Sequence, residues 1–234
     1  SGIVYCLSRK STETLAEKLA ALGIKAGVYH GKISSVERDR TQDDFINDRV
    51  KVMCATIAFG MGIDKSNVRY VIHYNLPKNI EGYYQEIGRA GRDGLPSETR
   101  LYYNYGDHKI LTQFAGEGAQ AEINLQKLSR MHQYAEADVC RRKILLSYFG
   151  EVLENDCGNC DVCKNPRKHF DGTVIAQQQL SAMKRTSEEL GMMMLIEILR
   201  GSSKDELREK GFQTIKTYGA DRDFSFFDSQ HKVK

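Results

Sequence analysis

Residues 85–94, Gln-Glu-Ile-Gly-Arg-Ala-Gly-Arg-Asp-Gly, set two arginines three positions apart among three glycines. On a helical turn Arg89 and Arg92 point the same way. Gly88, Gly91 and Gly94 remove side-chain bulk and allow a tight backbone beside them. Two planar guanidinium groups on such a frame suit a phosphate chain, because each bonds oxygens bidentately and keeps its charge. An Arg-Gly run by itself is most often a solvated basic turn, so its meaning depends on its neighbours.

Cys140, Cys157, Cys160 and Cys163 follow the spacing C-x16-C-x2-C-x2-C. Four thiolates close a tetrahedral zinc site, and a two-residue gap lets adjacent ligands hold one ion from a turn. Gly158 and Asn159 supply the tight backbone in the first gap. Disulfides compete with this reading, but nothing in the chain signals an oxidising compartment. An iron–sulfur cluster also takes four cysteines, although the further Cys-Pro of the ferredoxin pattern is missing. Zinc is the expectation, in a structural site, since four protein ligands leave no open position for chemistry. Cys6 and Cys54 lie in strand-like runs and read as buried small hydrophobes.

Ala55-Thr56 is followed by a glycine-containing loop through Phe59, Gly60, Gly62 and Asp64 to Lys65. A hydroxyl at a strand end, backed by free loop N–H groups, can cradle phosphate. Asp64 can accept hydrogen bonds from ribose hydroxyls. His30 and His73 read as satisfied strand-end histidines, and Tyr83-Tyr84 as core.

These residues need a frame, and the first 110 or so residues supply it by alternating strand-like and helical runs. The strand candidates are residues 3–7, 25–29, 50–55, 68–74 and 100–104. Leu15, Leu19 and Leu22 mark one helix face. Ser34 with Glu37 forms a capping box for a polar helix to about Asp48, and residues 81–87 form a third helix. Such alternation implies an α/β fold, a parallel sheet with helices on both faces and ligands at the carboxyl ends of the strands. His30, Thr56, Phe59, His73 and the Gly-Arg run are all expected at that edge. From about Gly116 helical spacing takes over, in Ile123, Leu125, Leu128 and Met131, then 140–149, 175–183, 192–199 and 204–209.

Composition narrows the function classes. The formal net charge is only +3, from 34 Lys and Arg against 31 Asp and Glu, so any basic surface must be local. The most apolar run, Gly191 to Leu199, is too short for a membrane span, and no secretion signal is present. The cytoplasm is expected. The chain opens on a strand-like run and ends on the Phe224, Phe226 and Phe227 stretch without a structural signal. Both ends read as cuts in something longer.

The combination resembles the later helicase motifs of RecQ-family DNA helicases, of bacterial type: Gly2 to Cys6, Tyr29-His30-Gly31, Ala55-Thr56 to Asp64, and Gln85 to Gly94. Cys-Arg-Arg at 140–142 and Cys-Gly-Asn-Cys-Asp-Val-Cys at 157–163 resemble that family's zinc module. The resemblance implies a second RecA-like lobe over 1–113, a helical zinc-binding module over 114–170 and the start of a winged-helix domain over 171–234. It implies that Arg92, with Arg89, is the arginine finger on the γ-phosphate, that Gln85 shares that motif, and that Asp64 and Gly62 contribute to the nucleotide site. Thr56, His30, Gly31, Phe59 and Gly60 would lie on DNA. The implied partners are DNA, ATP with Mg²⁺, and an N-terminal lobe that completes the ATP site; the implied setting is the bacterial cytoplasm and nucleoid. No membrane partner is implied.

The chain contains no G-x-x-x-x-G-K-[ST] and no Asp-Glu-x-His, both of which belong to the family's first lobe. By itself it is therefore expected to be inactive, as part of a 3′-to-5′ ATP-dependent helicase. The alternative is a non-enzymatic zinc and winged-helix DNA-binding protein on a RecA-like scaffold. A zinc hydrolase would need an open metal position and a general base, which the cysteine set does not offer.

Overall fold

The computed structural model describes residues 1–60, 63–166, 171–186 and 190–222. They form two compact units, Ser1–Arg167 and Lys168–Lys234. The first unit starts with β1 (Gly2–Tyr5), α1 (Arg9–Ala21), β2 (Ala26–Tyr29), α2 (Ser35–Ile46), β3 (Val52–Ala55) and β4 (Tyr70–His73). It continues with α3 (Ile80–Ile87), β5 (Glu98–Leu101), α4 (Tyr105–Ala115), α5 (Ala121–Glu136), α6 (Arg141–Tyr148) and α7 (Asp161–Lys164). The five strands are all parallel, in the order β2-β3-β1-β4-β5.

Alternation along the central strands sends side chains to two faces. Ile3, Tyr5, Met53, Ala55 and Val71 pack with Phe45 of α2, while Val4, Cys6, Val52 and Cys54 pack with Leu15, Ala16 and Leu19 of α1. Helices thus cover both faces, as strands apolar on both sides require. Burial pushes the Cys6 and Cys54 thiols up to about 12 and about 11, which fits small core residues. Leu22 departs from its expected face: it caps α1 and is 76% exposed.

Caps set the helix starts. The side chains of Ser8, Ser34 and Asn79 accept from the backbone N–H groups of Ser11, Glu37 and Gly82. Helix α4, which no strong periodic signal marks, is opened by Asn104 in the same way.

A further core joins the sheet edge to the helical segment. Leu76, Ile80 and Tyr83 pack with Leu111 of α4, Leu128, Met131 and Tyr134 of α5, and Leu145 of α6. Ile123 and Leu125, expected with this group by spacing, are exposed. Tyr84 is also exposed and leans on Phe149, with ring centroids 4.7 Å apart, so only Tyr83 of the pair is core. Between α4 and α5 the His108 and His132 rings lie 4.3 Å apart. Burial and then His132 hold His108 below the usual histidine range, with Glu136 opposing them.

The second unit contains α8 (Thr173–Arg185), α9 (Met192–Arg200) and α10 (Asp205–Glu209). Its core is Ala182, Leu195 and Leu199, and α9 ends at Gly201 in the left-handed region, a common helix stop. The Phe224, Phe226 and Phe227 stretch lies outside the described residues. Among the described residues no helix is long and apolar enough to cross a membrane.

Candidate functional site

Helix α3 stops at Ile87 with Gly88 as its cap, so Arg89 and Arg92 stand on the turns that follow it. Gly91, at φ +64°, breaks the helical path between them. The two side chains differ in burial: Arg89 is 7% exposed, and Arg92 faces solvent. They meet on the β3–β4 connection. A Cβ on Gly60 would lie 2.6 Å from an Arg89 Nη, so the missing side chain makes the room that Arg89 fills. Arg92 donates from Nη1 to the Ile63 carbonyl at 3.4 Å and from Nε to the Gly88 carbonyl at 3.2 Å.

The Gly-Arg run is also not confined to the carboxyl edge of the sheet. The Gly91 N–H donates to the Val68 carbonyl at 2.9 Å, and Asp93 pairs with Arg69 at 2.5 Å. Val68 and Arg69 precede β4. Helix α3 begins beyond the carboxyl end of β4, and the chain after it has returned to the amino end.

The connection starts at the expected edge. The Thr56 N–H donates to the Tyr29 carbonyl at 3.1 Å, and Thr56 accepts from the Phe59 N–H at 3.0 Å. Phe59, expected to face DNA, has its ring in the core at 1% exposure, edge-on to Tyr29 and Phe45. An apolar ring on a short loop over a sheet is covered rather than offered to solvent; its carbonyl accepts from the Tyr5 hydroxyl at 3.0 Å. Asp64 is exposed, and Gly62 lies outside the described residues. Lys65 is buried on the Ile46 carbonyl at 3.0 Å and Asp48 at 3.2 Å, which removes it as a phosphate ligand.

Both histidines are held by carboxylates. His30 Nε2 lies 2.9 Å from Glu13, and its Nδ1 accepts from the Lys32 N–H at 3.4 Å, with Gly31 exposed beside it. His73 Nε2 lies 2.7 Å from Glu86, and the ring stacks on Tyr5 at 5.3 Å and 21°. Gln85 is exposed on α3 next to Glu86. Burial, first, and Glu86 raise the Tyr5 phenol, while Arg89 and Arg92 pull it down. No sequence signal singles out Tyr5, which lies in an apolar run, or Glu86, which lies inside the Gly-Arg motif.

The cysteine cluster fits a metal. The Sγ atoms of Cys140, Cys157, Cys160 and Cys163 all lie within 4.8 Å of one another, with Cys160 and Cys163 at 3.3 Å and Cys157 and Cys163 at 3.9 Å. Backbone N–H groups of Cys157, Asn159 and Cys163 donate to the sulfurs of Cys140, Cys157 and Cys160. Gly158, at φ +65°, makes the turn between two of the ligands. Burial raises the Cys140 thiol, but N–H donors from Cys157 and Lys143 outweigh it and bring it to about 6. Cys163, hydrogen-bonded to Cys160 and then penalised by burial, is pushed up to about 12. A metal would therefore displace protons on binding. Salt bridges Arg141–Asp161 and Lys143–Asp156, at 3.0 and 2.9 Å, frame the cluster.

Comparison with known proteins matches three consecutive segments. Residues 1–94 match the helicase conserved C-terminal domain, 105–164 the RecQ zinc-binding family and 166–228 the RQC domain. The ATP-dependent DNA helicase RecQ of Pasteurella multocida is 44% identical over 229 residues, which are 96% of this chain. The chain belongs to the RecQ helicase family. RecQ of Bacillus subtilis is 40% identical over 94% of the chain, and the ATP-dependent DNA helicase hus2/rqh1 of Schizosaccharomyces pombe 39% identical over 98%. The chain spans 36%, 38% and 18% of the lengths of these three RecQ-family relatives. The four cysteines fall within the segment that matches the RecQ zinc-binding family, and their cluster fits a structural zinc.

Proposed function

We propose that the protein containing this chain is an ATP-dependent DNA helicase that moves 3′ to 5′ on single-stranded DNA and unwinds duplexes in replication, recombination and repair. One observation supports this reading above the others. A solvent-facing Arg92 is fixed by the Ile63 carbonyl, next to exposed Asp64, on a loop that begins at Thr56. That loop joins a group suited to a γ-phosphate, a carboxylate suited to a ribose and a hydroxyl suited to a DNA backbone.

In this reading Arg92, with Arg89, stabilises charge developing on the γ-phosphate, Gln85 belongs to the same motif, and Asp64 and Gly62 contribute to the nucleotide site. Arginine fingers contribute about 10³–10⁵ in phosphoryl-transfer rate. Thr56 and the backbone of Phe59-Gly60 and His30-Gly31 follow the DNA strand. A preceding RecA-like lobe supplies the P-loop and Mg²⁺ site. Residues 1–113, 114–170 and 171–234 act as motor lobe, zinc module and winged-helix segment, in the bacterial cytoplasm at the nucleoid.

The test is ATP hydrolysis and strand separation by the full-length protein, beside the isolated chain. DNA-stimulated turnover with 3′-to-5′ unwinding, and no turnover by the isolated chain, is the expected result. A full-length protein that binds DNA without hydrolysing ATP would instead mark a zinc and winged-helix binding protein.

A further inference from the structure

The β3–β4 connection and the turn after α3 are tied together by a residue from a third element. Tyr5 ends β1, is 4% exposed, and donates its hydroxyl to the Phe59 carbonyl at 3.0 Å. Its ring stacks on His73, at the end of β4, and His73 Nε2 pairs with Glu86 of α3 at 2.7 Å. The next residue of the connection, Gly60, leaves the space that the Arg89 guanidinium occupies, so Arg89 closes the circuit from the α3 side. Arg89 Nε has no hydrogen-bond partner in this buried position, and the Arg89 guanidinium acts on the Tyr5 phenol, whose ionised form its charge favours.

We infer that Tyr5 is a positioning residue: through the Phe59 carbonyl on one side and His73–Glu86 on the other, it locks the Thr56–Gly60 segment and the Arg89–Arg92 turn into one rigid body. A shift of Thr56 on its ligand is then carried to Arg92 without either residue touching the other. Arg89, under Gly60, belongs to this linkage, and Arg92 alone is free to reach a phosphate. The inference rests on the helicase reading above, because its output is the dependence of ATP turnover on DNA.

The deciding experiment uses the full-length protein with Tyr5→Phe, which removes the hydroxyl and keeps the stacked ring. Arg92→Ala serves as the reference. Expected for Tyr5→Phe is a loss of DNA-stimulated kcat of about ten-fold or more, the scale on which small misplacements of catalytic groups act. KM for ATP should stay within about two-fold, because nucleotide contacts are untouched. More single-stranded DNA should be needed for half-maximal stimulation. Gly60→Ala, which pushes on Arg89 from the loop side, should give the same loss of kcat without altering Tyr5; only its kcat and its KM for ATP are read, because the Gly60 backbone itself follows the DNA strand. Bound zinc and thermal unfolding report whether each variant folds; if Tyr5→Phe does not, Gly60→Ala decides. Wild-type kcat and DNA half-point in a folded Tyr5→Phe, or wild-type kcat in a folded Gly60→Ala, beside an inactive Arg92→Ala, would overturn the linkage and leave the helicase reading standing. If Arg92→Ala also turned over normally, the helicase site itself would be misassigned.

Discussion

Arg141 grips the Asp161 carboxylate with two parallel hydrogen bonds, Nε to one oxygen at 3.1 Å and Nη2 to the other at 3.0 Å, and each residue directly follows a cysteine of the zinc cluster. The pair fastens the ligand that opens α6 to the ligand that opens α7. Arg141 also donates to the Tyr134 carbonyl and lies over the Tyr134 ring at 5.5 Å, so α5 is fastened as well. The carboxyl of Asp161 is held below its usual range chiefly by that guanidinium. Supporting residues around metal ligands typically contribute about 10–100-fold in affinity. Arg141→Ala should weaken zinc binding on that scale, and Arg141→Lys should recover little, since an ammonium lacks the fork. Competition against a chromophoric chelator measures both; unchanged affinity in Arg141→Ala would make the pair incidental to the metal.

Zinc itself should be present at about one per chain, because four thiolates complete a tetrahedral site. Metal binding contributes directly to folding free energy in small modules, so Cys160→Ser or chelation should unfold the segment around α6 and α7. Elemental analysis and hydrogen exchange over residues 140–164 test this. Iron in place of zinc, or native protection in Cys160→Ser, would refute it.

Arg92→Ala in the full-length protein should slow ATP hydrolysis by orders of magnitude with comparatively little change in ATP affinity, because its charge acts on the transition state. Arg92→Lys should rescue poorly. An equal loss of binding and turnover would make Arg92 a ground-state contact.

The His108–His132 contact gives a pH dependence with a definite sign. The folded protein holds His108 below its ordinary value near 6.5, so the unfolded chain binds more protons as pH falls into that region. Stability from the uncharged contact is complete above pH ~6.5 and is lost as pH drops through the lower, folded value. Melting temperatures measured across this range should fall with acidity, and His108→Gln should flatten that slope. An unchanged slope would assign the acid sensitivity elsewhere.

Met131 is fully buried where α5 meets the sheet-edge core. Met131→Ala should cost about 2–5 kcal/mol in chemical denaturation, the range for emptying such a site. A loss below 1 kcal/mol would indicate that the core collapses around the gap.

Much of the frame was legible because its signals are local. Strand alternation, the Ser34–Glu37 cap and the cysteine spacing depend on residues a few positions apart, and the structure realises each of them. The site was less legible where the chain folds back. Gly91 adopts a left-handed turn that no spacing rule anticipates, so Arg89 is buried under the β3–β4 connection while Arg92 stays exposed beside it. Phe59 shows the same limit: its loop reads as a surface, and only the pocket between Tyr29 and Phe45 buries it. The stacking of Tyr5 on His73 joins residues 68 positions apart and has no signature in either neighbourhood.

The core shared by Leu76, Ile80 and Tyr83 with Leu111, Leu128 and Met131 has a mechanical consequence. A segment joined only by a tether would swing freely and dissipate any displacement of the sheet. Here the two are welded by close-packed side chains of low compressibility. Helices α5 and α6 are therefore seated on the α3 side of the sheet by packing, and the cysteine that opens α6 takes its position from the sheet.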